Sequence, residues 1–182
     1  IMIERRSTKE LLVESVLELM EAKPVNRITI RNITENCGMS RHAFYYYFKD
    51  KHELINYVFK RDVDSVIQQN SGRTPWKVLL GDMLVNMKQK RRFYRMAMDD
   101  DSQNSFRNYI LEYTIFAYMK EVERRVAEAP LSEEVVYAIR FNGYGAAGII
   151  LEWIGEGMTE DPYHVAELIA KNMPEAMKVY FE

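Results

Sequence analysis

An all-α fold is what the sequence predicts, and three observations predict it. Apolar residues recur at helical spacing, as in Leu12, Val16, Leu19 and Met20. Capping signatures stand at the ends of such stretches, and only eight glycines and five prolines interrupt the 182 residues. Sustained alternation with a period of two, the mark of a half-buried strand, is missing despite the tyrosine and isoleucine clusters.

The elements follow in order. Ser7-Thr-Lys-Glu10 is a capping box that opens a first helix, and Pro24 ends it. Thr29 caps a short second helix that turns Ile30, Ile33 and Cys37 inward. Gly38 stops that helix, because the residue there usually needs φ > 0. Ser40 caps a third helix at once, which leaves room for a tight turn only. Asp50-Lys-His-Glu53 reads as a second capping box, heading a fourth helix through Leu54, Val58 and Val66 to about Gln69. Asn70 to Pro75 is the clearest break, with Thr74 as cap and Pro75 as first helical residue. Further helices are expected over 75–90, 92–99, 103–128, 132–155 and 162–180. Pro130 separates two of them, and Asp161 before Pro162 caps the last.

Composition excludes several classes. A 47% hydrophobic fraction supports a real core, and 29% charged residues argue for a polar surface. The single Cys37 rules out an internal disulfide framework and suits a reducing cytoplasm, where it reads as a small core residue more than a redox sensor. No apolar run approaches the roughly 20 residues of a membrane span, so no membrane partner is expected. The first ten residues carry no apolar signal core, and Met2 reads as the natural start. The net charge of −2 hides an asymmetry. From Lys23 to Lys51 six basic residues face only Glu35 and Asp50, a local +4 in an otherwise acidic chain. Such a segment points to a polyanion.

Within it stands Phe44-Tyr-Tyr-Tyr-Phe48, five aromatic residues in succession. At 100° per residue they point all the way round a helix, and a core can bury only one stripe of it. Phe44 and Phe48 share a face and belong inside, so Tyr45, Tyr46 and Tyr47 project to the sides and front. Two short helices joined through Gly38 form a helix-turn-helix, whose second helix lies in the DNA major groove. Each tyrosine hydroxyl there can donate to a phosphate oxygen, and each ring can pack on sugars or a thymine methyl.

The run Ile28-Thr29-Ile30, Ile33, Gly38-Met39-Ser40, Tyr45, Tyr47-Phe48, Lys51 and Leu54 resembles the signature of the tetracycline-repressor (TetR) family of bacterial transcription regulators. Thr34 and Cys37 depart from it, standing where that family usually has alanine. The resemblance implies an N-terminal three-helix DNA-binding domain and a C-terminal domain that dimerises and binds a small-molecule inducer. The chain is accordingly divided into a DNA-binding domain over 1–50 and a helical regulatory and dimerisation domain over 51–182. By the resemblance, Tyr45, Tyr47 and Lys51 hold phosphates. For Lys51 there is a separate reason: a lysine in a first helical turn opposes the helix dipole, unless it completes an anion site beside the N–H groups there. Thr29, Arg31 and Ser40 are placed for further backbone contacts, and Arg41, His42, Ala43 and Tyr46 are the candidates to read bases.

The later part is less specific. Residues 135–154 are apolar nearly all round and contain Gly143, Gly145 and Gly148, which suits a helix buried on two sides. In the resembling family the last two helices pair with their symmetry mates. A homodimer interface over 132–180 is therefore expected through Arg140, Gly143, Ala147, Ile150, Leu151, Ile154, Leu168 and Met177. An effector pocket of unknown ligand is assigned to Met83, Met87, Phe93, Tyr94, Tyr109, Tyr113, Phe116, Phe141 and Tyr144, residue types that also simply fill helical cores. Arg92, Arg95 and Arg140 are available to an anionic ligand, or to surface pairing. Phe93-Tyr94-Arg95, Ser105-Phe106, Phe141, Gly145, Trp153 and Gly157 look somewhat like the dihydroxyacetone-kinase-regulator branch, which includes activators working with a protein partner.

The reading is thus a non-enzymatic regulator without cofactor, a ligand-responsive repressor on a pseudo-palindromic operator, with a partner-dependent activator as the alternative. An enzyme is the remote rival. It would use Asp99-Asp100-Asp101 with Gln103 and Asn104 on a divalent cation, while His42, His52 and His164 show no catalytic spacing.

Overall fold

The computed structural model describes residues 7–70, 74–99, 105–126 and 130–181, and among these there are ten α-helices and no strand. The helices are α1 (Thr8–Ala22), α2 (Ile30–Asn36), α3 (Arg41–Tyr47), α4 (Lys51–Gln69), α5 (Trp76–Gln89), α6 (Arg91–Ala97), α7 (Phe106–Arg125), α8 (Glu133–Gly155), α9 (Pro162–Lys171) and α10 (Glu175–Lys178). A single 3-10 turn, Val25–Arg27, separates α1 from α2. None of these helices is long and apolar enough to cross a membrane.

The caps explain the boundaries. Ser7 and Glu10 exchange side-chain and backbone bonds in the expected box. Asp161 caps α9 with Pro162 at its first position. At α4 the box closes differently. The Glu53 N–H donates to Asp50 Oδ1 at 2.9 Å, but Glu53 Oε2 accepts from the Lys49 N–H at 2.6 Å, one residue before the expected partner. Thr74 does not cap α5. Its hydroxyl donates to Asn70 Oδ1 at 2.9 Å, and Pro75 occupies the cap position with no side-chain oxygen to offer. The expected helix over 162–180 is broken in two, because Pro174 has no N–H and disfavours helical backbone at the residue before it. Asp100, Asp101, Gln103 and Asn104 lie outside the described residues, as do both ends of the expected 103–128 helix.

The contacts gather the chain into two compact units, one formed by 1–61 with 92–106 and the other by 62–91 with 107–182. In the first, α1 packs on both α2 and α3, burying Leu12, Val16, Ile33 and Phe44 completely or nearly so. A second part of the same unit's core is a ring cluster of Phe59, Phe93, Tyr94 and Phe106 at centroid distances of 5.1–6.5 Å. The other unit is built on α5 against α9 and α8 against α10. Trp76, Tyr118 and Phe181 meet there with centroids 5.1–5.4 Å apart. Gly81 lets α5 approach closely, since a Cβ on it would stand 2.2 Å from the Tyr163 ring.

Candidate nucleic-acid interface

Residues 29–48 hold the candidate reading element in place. Thr29 caps α2 by accepting from the Asn32 N–H, while Asn32 Oδ1 accepts from the Thr29 N–H and hydroxyl. The turn after α2 is made by Gly38 at φ +68°, with the Met39 N–H returning to the Thr34 carbonyl at 2.8 Å. No atom stands within 4 Å of where a Gly38 Cβ would be, so backbone conformation alone requires glycine there. Ser40 then caps α3 by accepting from the Ala43 N–H.

The helix that results has two opposite faces. Phe44 and Phe48 are 0% and 3% exposed, whereas Tyr45, Tyr46 and Tyr47 are 56%, 79% and 37% exposed. The buried pair anchors α3 and the three phenols face away, as the spacing predicts. Arg41 and His42 at the head of the helix are exposed, and Ala43 is half-buried. Arg31 is exposed too, but its Nε donates to Glu35 at 2.6 Å, and that bond holds the guanidinium pKa above its usual value. Its charge is partly balanced within α2, which the sequence reading did not count.

Lys51 behaves differently from the expectation. Its ammonium is half-buried and donates to the carbonyl oxygens of Val25 at 2.8 Å and Ile28 at 2.9 Å. It therefore ties the first turn of α4 to the segment that leads into α2. Carbonyl oxygens answer the charge that a first-turn lysine would otherwise hold against the dipole. Two further residues were missed. The Ser15 hydroxyl, 2% exposed, donates to the Ile33 carbonyl at 2.7 Å, and Asn36 Nδ2 donates to both Ser15 Oγ and Glu18 Oε2. The signal was a serine on the apolar stripe between Leu12 and Val16. Lys9 Nζ lies 3.7 Å from the Tyr57 ring centroid and 5.5 Å from that of Phe48, a cation–π clasp behind the reading element.

Known proteins carry the same organisation. Residues 12–58 match the profile of "Bacterial regulatory proteins, tetR family", and 75–175, more than half of the chain, match that of a TetR "Transcriptional regulator C-terminal region". The chain belongs to the TetR family. It is accordingly a DNA-binding transcriptional regulator, not an enzyme. A curated relative is the HTH-type dhaKLM operon transcriptional activator DhaS of Lactococcus lactis, 23% identical over 155 residues that cover 82% of this chain and 81% of that protein. A solved structure of the dihydroxyacetone kinase operon activator DhaS superimposes with a TM-score of 0.68 at 20% identity, covering 96% of this chain and 98% of the other. A TetR-family regulator from Streptomyces coelicolor gives 0.57 at 16% identity over 96% and 86%.

The residues assigned to an effector pocket do not share one surrounding. Phe93 and Tyr94 are 1% and 0% exposed within the ring cluster, so they are core of the first unit. Met87 is buried and Met83 half-buried on α5. Tyr109 and Tyr113 stack on α7 beside Asp64. Burial, the Asp64 carboxylate, the Tyr109 phenol and a bond to Asp64 push the Tyr113 phenol up to about 12. Phe116, Phe141 and Tyr144 are exposed. Arg92 pairs with Glu21 at 3.5 Å, as a surface residue would.

The interface assignment needs a similar correction. Gly143, Ala147, Ile154 and Met177 are buried in the chain's own core, with Gly143 so close to α7 that a Cβ would meet Ile115 at 2.6 Å. Ile150 is 7% exposed and Leu151 half-buried. Of the expected set only Arg140 and Leu168 are exposed. The solvent face of α8 is instead Tyr137, Phe141, Tyr144, Gly145, Gly148 and Ile149. Where α8 faces α9, this surface borders a groove of about 610 Å³ lined by Phe141, Ile149, Trp153 and Leu168, with Glu152, Glu156 and Glu160 also in its lining.

Proposed function

We propose that the protein binds a pseudo-palindromic operator as a C2 homodimer, and that a small-molecule effector sets the occupancy. The carrying observation is α3: three adjacent phenols turned outward from a helix whose other face is sealed by Phe44 and Phe48. In this reading residues 1–50 bind DNA and 51–182 regulate and dimerise, in the cytoplasm. Tyr45 and Tyr47 donate to phosphates, with Thr29, Arg31 and Ser40 beside them. Arg41, His42, Ala43 and Tyr46 meet base edges. Lys51, expected from the sequence to hold a phosphate, acts in this reading through its bonds to the Val25 and Ile28 carbonyls, which fix the angle at which α2 is presented. Two such elements about 34–36 Å apart would reach successive major grooves.

The homodimer face is moved to the exposed side of α8. Tyr137 and Phe141 are 72% and 69% exposed, too much apolar surface on one helix to leave in water. Gly145 and Gly148 have nothing within 4 Å of a built Cβ, so the chain's own packing does not require them. Each costs about 1 kcal/mol relative to alanine in a helix. Close approach of a second copy's helix would offset that cost.

Occupying a promoter makes such a protein a repressor, and an effector that prefers another dimer spacing would release it. Activation with a protein partner is the second reading, favoured by the likeness to DhaS along most of both chains. The test is fluorescence anisotropy on DNA from upstream of the coding region at several salt concentrations. Saturable binding that weakens steeply with salt and is lost in Tyr45→Ala supports the operator reading. Salt-independent binding, or binding indifferent to Tyr45, would sink it. A reporter fused to the same DNA then separates repression from activation by the sign of its response.

A further inference from the structure

A second groove, of about 470 Å³, opens at the head of α5 within the unit formed by 62–91 and 107–182. Its apolar lining includes Trp76, Met173 and Phe181, and its polar lining is Lys77, Lys171, Lys178 and Glu167. Three ammonium groups around one aromatic floor are unexpected in a chain of net charge −2. Their counter-charges are few. Lys171 pairs with Glu167 at 3.0 Å on an exposed edge, and Lys178 pairs with Glu175, which is itself 86% exposed. Among the described residues Lys77 has no ion pair of its own. The Lys171 bond and charge, with a smaller contribution from Lys77, hold the Glu167 carboxyl below its usual range, and the three lysines line the one groove.

Backbone donors add to the charge. Pro75 caps α5 without a side-chain acceptor, and among the described residues the Trp76 and Lys77 N–H groups find no acceptor. The buried Trp76 indole N–H is turned to the Tyr118 phenol, without a hydrogen bond of good geometry, and is not counted among the donors of the groove. Lysines, helix N–H groups and the positive end of the α5 dipole favour the same sign of ligand, an anion. The flat Trp76 and Phe181 rings, 5.1 Å apart, favour an apolar body on that anion.

We propose that this groove binds a small organic anion, an aromatic carboxylate or phosphate ester, with its head between Lys77 and Lys171 and its ring against Trp76. Lys178 and the first N–H groups of α5 complete the head's surroundings. The inference deepens the effector reading above by naming the effector's chemical class. Binding itself does not rest on the operator reading, because the site lies wholly within one unit.

The test uses the full chain in the Trp153→Phe background, where Trp76 is the only indole left of two. Indole emission is titrated with benzoate, phenyl phosphate, benzyl alcohol, benzylammonium and inorganic phosphate. Calorimetry with the unaltered protein guards against a fault introduced by the background. Saturable binding of benzoate or phenyl phosphate is expected, with benzyl alcohol roughly tenfold weaker because charge-assisted bonds are lost, and with no response to benzylammonium. Lys77→Gln with Lys171→Gln should weaken the anions by about tenfold or more at an unchanged melting temperature. No saturable binding up to millimolar concentrations, equal binding of benzyl alcohol, or indifference to both lysine changes would overturn the site. Inorganic phosphate binding as tightly as phenyl phosphate would overturn the apolar part of the assignment. Anisotropy on operator DNA, with and without the bound anion, keeps the two readings apart. Binding that leaves operator affinity unchanged removes the effector role and retains the site, whereas absent binding removes the site and leaves the effector to another cavity.

Discussion

Helices α3 and α8 both leave aromatic residues in water, and they do so in opposite ways. On α3 the exposed rings are three tyrosines at successive positions, flanked by Arg41 and His42 and tied to a segment of local charge +4. On α8 they are Tyr137, Phe141 and Tyr144, set at helical spacing with Ile149 and with Gly145 and Gly148 between them. Hydroxyls beside positive charge suit a polyanion, which is wet, charged and irregular at its edges. An apolar stripe with open glycines suits another helix, which must come close and brings its own apolar surface. Exposure alone therefore tells little about a partner. The residues between the exposed rings tell more.

The largest effect should come from the buried side of α3. Phe44→Ala removes a fully buried ring on which the reading element rests, and a loss of about 3–5 kcal/mol in denaturant unfolding is expected. A loss below 1 kcal/mol would mean that the contrast between the faces of α3 is not what anchors it. On α8, Phe141→Glu replaces an exposed ring and should hardly change the stability of the single chain. Sedimentation should nevertheless show monomer, and operator affinity should fall by roughly a hundredfold or more as the second half-site is lost. A dimer that survives the change moves the interface off this face.

Smaller effects sharpen the same comparison. Lys51→Met should lower the unfolding free energy by about 1–3 kcal/mol, for two lost charge-assisted bonds. Any residual operator binding should keep its salt slope, whereas a phosphate-contacting lysine would lower that slope by about one. Smallest is a pair of glycine changes with opposite signs. Gly145→Ala should stabilise the helix by about 1 kcal/mol while weakening the dimer. Gly143→Ala should destabilise the chain itself, since the added Cβ would meet Ile115 Cγ1 at 2.6 Å and the Ile115 backbone of α7 at 3.2 Å. Equal outcomes at the two positions would erase the distinction between inward and outward glycines.

The chain is local where it was legible and non-local where it was not. Ser7 with Glu10, Thr29, Gly38, Ser40 and Asp161 marked their helix ends because a cap and its target lie within a few residues. The split between Phe44 with Phe48 and Tyr45–Tyr47 followed from helical angle alone. Lys51 was seen as anomalous, but its partners, Val25 and Ile28, are 26 and 23 residues away and left no local mark. The expected pocket failed for the same reason. Phe93 and Tyr94 carry the same side chains as a pocket would, and only their packing against Phe59 and Phe106 makes them core.

The sequence by itself determined the all-α class, most helix ends, the two opposite faces of α3 and the family, because each rests on short-range geometry or on a contiguous motif. Tertiary structure decided which of α8's glycines touch their own chain, which lysines gather around Trp76, and that Gly143, Ala147, Ile154 and Met177 are core. A helix that is apolar nearly all round has no periodicity to reveal its inner face. That face is set by what arrives from elsewhere in the chain, and for α8 it is α7 and α10 that arrive.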